Sequence, residues 1–408
     1  MPRSRHPRGF VERFDLRREA TPRPLLERPV HRWFVFPHSY GPGLVEAVLD
    51  RWGFGQDAKI LDPFVGSGTT LLTARERSMD AAGMDLSPLA TLASRVKVRT
   101  YDEKSLRRRF RCLTAQSNGG GAVPAAPRLL RKALGPYALG EAASLLQGVR
   151  RTRDPGEREF FLLGLLRSAR EISSAKTDGG WLRWTTRRPG KGRLIRAFRR
   201  RCEAMMLDLV EAPPGGGRQN VRLADARRPR RPARKFDGLI TSPPYPNRHD
   251  YSRVFAVELL LALLDVDGLF RLRYRSFRSH VEARSVVEPA GYSAPRALAH
   301  ALHALACAQV TNRRVRPMVA GYFKDMWTHL RAVRPLLRRG ARLAYVVGNV
   351  RHAGVMVPVD SILVSLARRA GYRFEGAWII RERGNSAQQM GTFGREPARE
   401  SVVFFRRP

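Results

Sequence analysis

The sequence predicts an α/β protein with an open, mostly parallel central sheet into which helical material is inserted. Three observations lead there. Across residues 59–89 a short apolar run is followed by a glycine-rich turn, a helix-like run and a second apolar run, the pattern of a mononucleotide-type βαβ half. From about Tyr101 to Gly217 the strand signals fade, and helix-like runs separated by Gly, Pro and Arg replace them. From Val221 onward apolar and amphipathic runs alternate again to the end of the chain.

Taken in order, residues 1–28 are rich in Arg and Pro and read as a basic, extended arm. The aromatic-dense stretch His31-Arg32-Trp33-Phe34-Val35-Phe36-Pro37 precedes a helical run over 44–52. Residues 29–100 then form the first half of the α/β unit: strand at Ile60-Leu61, helix over 69–77, strand Ala81-Ala82-Gly83-Met84 ending at Asp85. The insertion, residues 101–217, carries helical runs at 128–134, 142–149, 157–172 and 194–210, and Gly215-Gly216-Gly217 closes it. Residues 218–408 complete the unit, with strands at 221–223 and 236–240 and a second insertion at about 265–319. The remaining pattern is a helix over 322–337, a turn at Arg339-Gly340, a strand over 341–347, a helix over 360–370, a strand over 374–381, and a last, antiparallel strand over 401–405.

A chain of 408 residues with a formal charge of +39 favours a polyanionic partner, nucleic acid foremost. Cys112, Cys202 and Cys307 lie far apart with no metal-ligand spacing, which indicates neither a disulfide framework nor a zinc site and suits a reducing cytoplasm. The longest apolar run, 254–264, contains Glu258 and is short of the roughly 20 residues a membrane span needs. No apolar segment follows the basic start, so no secretory signal is expected.

Two short motifs carry the chemistry. Leu61-Asp62-Pro63-Phe64-Val65-Gly66-Ser67-Gly68-Thr69-Thr70 turns a strand tightly into a helix whose N-terminus faces whatever the loop holds. Leu71 stands where the dinucleotide fingerprint needs a third glycine, and the phosphate-loop Lys is absent. About 180 residues on, Thr241-Ser242-Pro243-Pro244-Tyr245 follows an apolar strand and offers a hydroxyl, carbonyls freed from helix pairing and an aromatic face. Those groups suit a planar base gripped by its exocyclic amine. Asp85 ends a strand where a carboxylate accepts from ribose hydroxyls, and it equally suits the start of the helix at Ser87-Pro88.

Together the two motifs resemble those of the S-adenosylmethionine-dependent DNA amino-methyltransferases, which methylate cytosine N4 or adenine N6. The Ser-Pro-Pro-Tyr form is most similar to the cytosine-N4 group. The resemblance spans about 30–95 and 220–408, with the cofactor motif before the catalytic one, and includes Gly384-Asn385-Ser386 and Arg399-Glu400-Ser401 near the end. It implies a Rossmann-like class I methyltransferase fold, a mostly parallel seven-stranded sheet with an antiparallel last strand. It implies S-adenosylmethionine as cofactor, with Asp62, Phe64, Gly66, Ser67, Gly68 and Asp85 around it, Asp225 at its adenine, and Trp33 and Phe34 beside its methionine end. Asp225 is open to a structural role with Arg227.

Ser242, Pro243, Pro244 and Tyr245 become the catalytic residues. An amine conjugated to a ring has a poorly available lone pair. Acceptors at the Ser242 hydroxyl and the Pro243 carbonyl draw it toward tetrahedral geometry while Tyr245 stacks on a base taken out of the duplex. No cysteine follows a proline, so the covalent chemistry of cytosine-C5 enzymes is not expected. Arg248, His249, Arg273, Arg275 and Lys176 are candidate DNA contacts, His249 being also a candidate structural histidine and 271–278 a candidate solvated helix face. The expected function is site-specific methylation of cytosine N4 in DNA within a restriction-modification setting, any nuclease being a separate subunit. Adenine-N6 methylation, RNA methylation and a catalytically silent nucleic-acid binder are the alternatives.

Overall fold

In the computed structural model, which describes residues 6–116, 125–186, 188–212, 215–284, 288–308, 310, 312–383 and 397–408, one eight-stranded sheet organises the chain. Its strands, in chain order with two small hairpins between them, are β1 (Phe10–Glu12), β2 (Lys59–Asp62), β3 (Asp80–Asp85), the hairpin strands β4 (Ala175–Asp178) and β5 (Trp181–Trp184), β6 (Gln219–Leu223), β7 (Phe236–Thr241), β8 (Leu337–Gly348), the hairpin strands β9 (Val350–His352) and β10 (Val355–Val357), β11 (Arg373–Arg383) and β12 (Ala398–Arg406). The sheet order is β1-β11-β12-β8-β7-β2-β3-β6. Strands β8, β7, β2, β3 and β6 pair in parallel, and β12 runs antiparallel to both β8 and β11. This is the expected Rossmann-like α/β fold, with one strand more than expected.

The extra strand is β1, which pairs in parallel with β11 from Phe10 opposite Ala377 to Glu12 opposite Ile379. The Arg/Pro-rich start, expected as an extended arm, is docked from there on. Arg13 lies over the Trp378 ring at 4.7 Å, and Glu19 accepts from the Gly43 amide at 2.9 Å. Charge content suggested solvent, but these arginines use aromatic faces and carboxylates of the body as partners.

Strands β7 and β8 are buried almost throughout, because helices cover both faces of the sheet. Alternate residues feed two cores. Ile60, Ile240, Ala344 and Phe404 join one with helices Pro42–Trp52, Thr69–Glu76 and Pro88–Lys97, and Leu61, Leu239, Leu343 and Phe405 join the other with helices Val315–Val333 and Val359–Arg369. The inserted helices Glu103–Gln116, Arg128–Arg150, Pro155–Ile172 and Arg193–Glu211 extend the first core. The long second one breaks at Gly135, where φ is +68° and Pro136 follows. The hairpin β4–β5 lies between the third and fourth of these helices.

Near the end, the helix expected over 322–337 runs instead over Val315–Val333 and tightens into a 3-10 turn at Arg334–Leu336 containing Pro335. Arg339-Gly340, expected as a turn, lies within β8, where pairing with β7 shifts register and Gly340 takes φ +78°. Gly384-Asn385-Ser386 lie outside the described residues.

Sheet order reverses between β2 and β7. In an open parallel sheet the loops leaving two such strands part to opposite sides and leave a crevice at their carboxyl ends. The glycine-rich loop leaves β2 and Ser-Pro-Pro-Tyr leaves β7, so both motifs open onto that crevice.

Candidate active site

One pocket fills the crevice. Its walls include Phe64, Gly66 and Ser67 from the first motif, Asp85 and Asp225 from the ends of β3 and the segment after β6, and Ser242, Pro243, Pro244 and Tyr245 from the second motif. Thr241, the last residue of β7, donates its hydroxyl to Asp62 Oδ1 at 2.6 Å and so joins the two strand ends behind the pocket. Asp62 is itself buried there, accepts from the Phe64 amide at 3.1 Å and is pushed up to about 6 by burial. It shapes the loop from behind. Gly66 (φ +50°) and Gly68 (φ +86°) hold left-handed backbone, and a Cβ on Gly68 would sit 3.0 Å from Ser94. Gly68 lies behind the pocket wall, at the start of helix Thr69–Glu76.

Asp85 accepts from two backbone amides, Ser87 at 2.9 Å and Gly66 at 3.1 Å, which ties the glycine loop to the start of the next helix. Burial nevertheless raises it to about 6. Asp225 is gripped by the Arg227 side chain at 2.8 Å and by its amide at 2.9 Å while still facing the pocket; against the opposing effect of burial, these bonds hold its carboxyl below the usual range. Ser67 Oγ lies 3.0 Å from Ser39 Oγ, and Phe36, His38, Ser39 and Tyr40 complete this side.

Tyr245 is buried with its ring against Gly348, where a Cβ would come within 3.0 Å of Cε2. Its hydroxyl donates to Glu400 Oε1 at 2.8 Å, and Glu400 pairs with Arg381. Ser242 donates to the Tyr245 hydroxyl at 3.3 Å. His352 Nε2 donates to the Pro246 carbonyl at 2.8 Å and tethers the turn from the far side.

Other expected contacts stand apart. Trp33 is buried and donates its indole N–H to Asp208 at 2.9 Å, and Phe34 packs against Phe36 and Phe255, so the aromatic stretch builds core and sends Phe36 to the pocket. Arg273 is taken up by Asp250 at 2.9 Å. Lys176 Nζ donates to the Glu171 carbonyl at 2.8 Å, while Arg275 lines a neighbouring arginine-rich groove. Arg248 is exposed on a positive φ of 70°. His249 is buried 3.3 Å from His38, and burial together with His38 lowers it to about 3, which keeps it neutral.

Sequence reasoning missed Lys97 and Glu400. Lys97 Nζ, fully enclosed, donates to the carbonyls of His31, Phe34 and Ser67 at 2.7–2.9 Å, binding the aromatic stretch to the glycine loop. Three acceptors match the three donors of an ammonium. A lone Lys between Val96 and Val98 at the end of an apolar helix was the available signal.

The pocket's charge is its most specific property. The chain has 75 Lys and Arg, yet none among the described residues lines this pocket, whereas Asp85 and Asp225 both face it. Such a lining disfavours phosphate-bearing dinucleotides and suits a cationic ligand rich in hydroxyl and amine donors. S-adenosylmethionine meets that description through its sulfonium, ribose and adenine. No cluster of His, Cys, Asp and Glu fit to hold a metal ion occurs among the described residues.

No protein-family model matches the chain. It is similar to Type II methyltransferase M.BsoBI of Geobacillus stearothermophilus, 25% identical with 93% of this chain and 86% of that protein covered. It is also similar to Type II methyltransferase M.AvaI of Nostoc sp., 26% identical with 93% and 87% covered. Type II methyltransferase M.MjaII of Methanocaldococcus jannaschii is 34% identical over 24% of this chain and 19% of that protein. Among solved structures, TrmN from Thermus thermophilus aligns at 12% identity with a TM-score of 0.30, over 92% of this chain and 50% of that one. Over nearly its whole length, then, the chain is similar to type II methyltransferases, and its cofactor is S-adenosylmethionine.

Proposed function

We propose that this protein transfers a methyl group from S-adenosylmethionine to the N4 amine of cytosine at a specific site in DNA, as the modification half of a restriction-modification pair. The reading is carried by one run of hydrogen bonds. Ser242 donates its proton to Tyr245, Tyr245 donates to Glu400, and Arg381 holds the carboxylate that ends the run. With its proton committed, the Ser242 oxygen has only lone pairs to offer the pocket. An exocyclic amine brings donors, so acceptor and ligand match.

The sulfonium supplies an activated methyl group and a good leaving group, so the protein needs no nucleophile of its own. Ser242 Oγ and the Pro243 carbonyl accept the amine's two hydrogens and turn its lone pair out of conjugation. Tyr245 presents a fixed face to the base ring, held by Glu400 on one side and Gly348 behind. Positioning of this kind supplies most of the acceleration in such a transfer. Charge of +39 outside an uncharged-to-acidic pocket suits a DNA polyanion steered to a cationic cofactor's site.

The test is expression in a host without DNA methylation, digestion of its DNA to nucleosides and mass spectrometry beside a Ser242→Ala control. N4-methylcytosine that disappears in the control is expected. N6-methyladenine would move the target to adenine, and DNA without any modified base would overturn the reading.

A further inference from the structure

The hairpin β4–β5 carries a feature that the proposed reaction leaves unused. Its register sets Lys176 opposite Arg183 and Asp178 opposite Trp181, so these four side chains share one face. The other face is anchored. Leu182 and Trp184 pack on the core, with Lys132 over Trp184 at 4.1 Å, and Arg170 donates to Thr177 Oγ1 at 2.6 Å while pairing with Glu258. Trp181, by contrast, is 55% exposed. An indole displayed on a braced two-stranded arm calls for a partner.

The arm's position tells which. Its tip, Gly179-Gly180, lies on the loop that follows Ser-Pro-Pro-Tyr: a Cβ on Gly180 would be 3.2 Å from His249 Cα and 3.4 Å from the Arg248 carbonyl. Arg253, whose guanidinium covers one side of the Trp181 ring at 4.2 Å, follows two residues after Tyr251, which lines the pocket. An exposed aromatic with Arg253 over its ring and Arg183, paired with Asp178 at 3.4 Å, on the same face therefore stands beside the loop that follows Ser-Pro-Pro-Tyr.

We propose that Trp181 enters the duplex at the position the target base vacates, stacking the ring face that Arg253 leaves open on a neighbouring base, while Arg183 and Arg253 meet nearby phosphates. Taking a base out of the helix costs stacking and pairing, and an aromatic surface restores part of the stacking. This rests on the DNA-methylating function proposed above, and the test separates the two. Once the methylated site is mapped by sequencing host DNA, Trp181→Ala and Trp181→Phe are compared with the parent on two duplexes. In one the target is fully paired; in the other it lies opposite an abasic site, so that extrusion is already easy.

Trp181→Ala is expected to slow methylation of the paired duplex by about tenfold or more, to leave the abasic-partner duplex near the parent rate, and to bind S-adenosylmethionine unchanged. Trp181→Phe, which keeps a ring, should recover most of the loss. Equal loss on both duplexes, or none on either, overturns the wedge. A parent that methylates neither duplex refutes the function itself. If the exposed indole serves a protein partner instead, the Ala variant will match the parent on both DNAs.

Discussion

At the scale of single residues, the site works through the direction of a few protons. Ser242→Ala removes the oriented acceptor without touching the cofactor side, so turnover is expected to fall roughly a hundredfold while the Kd for S-adenosylmethionine holds, as calorimetry would report. Tyr245→Phe keeps the ring and loses the bond to Glu400, so it should cost less than Ser242→Ala in kcat. Asp85 gives a pH signature. Its carboxyl is raised to about 6 in the fold, against about 4 in an unfolded chain, so between those values the folded state holds the proton more tightly. This contribution to the stability of the free protein is full at low pH and is lost as pH rises through 6. Cofactor affinity should run the other way, weakening as pH drops from 7.5 to 5.5, because ribose hydroxyls need the charged carboxylate as acceptor. Asp85→Asn should bind weakly at every pH, with the slope through 6 much reduced; an unchanged slope would remove Asp85 from the ribose position.

At the scale of elements, the pocket depends on ties between segments distant in sequence. Lys97 closes helix Pro88–Lys97 onto both the glycine loop and the aromatic stretch through three carbonyls. Lys97→Met strands those acceptors in a sealed site. Each stranded buried acceptor costs about 1–3 kcal/mol, so urea unfolding should show a loss of at least that size, together with weaker cofactor binding. On the opposite wall Gly348 of β8 lies under the Tyr245 ring. Gly348→Ala should displace that ring and lower kcat while leaving the unfolding midpoint near the parent value, since the site, and not the core, absorbs the clash.

For the molecule as a whole, charge is segregated. Among the described residues the basic ones lie outside the pocket at the sheet's crevice, several of them on the neighbouring groove. KM for DNA should accordingly climb steeply with salt, as counterion release requires, whereas cofactor affinity should respond weakly over the same range. Much of this architecture was legible in the sequence because the two loops are local. The turn after β2 and the turn after β7 need particular residues at particular offsets, and the order of strands then brings them together. The long ties were not legible. Glu400 meets Tyr245 across 155 residues, and no local pattern marks which distant side chain the one acidic residue of β12 will face. The surroundings of Trp33 and Phe34 were not legible for the same reason: an aromatic run announces burial but not which cavity, if any, it adjoins. The start of the chain was hidden by composition, since arginines that dock on Trp378 look on paper like arginines that seek water.

That docked start has a consequence for how the protein is handled. β11 would otherwise end the sheet, and its outer backbone groups are met by three residues, Phe10 to Glu12. Strand borders left bare recruit strands from other molecules. Removing residues 6–16, or fusing a bulky tag that pulls them away, should turn a covered border into a seam along which copies associate, visible as concentration-dependent aggregation in light scattering even when the crevice between β2 and β7, on the other side of the sheet's midline, is intact.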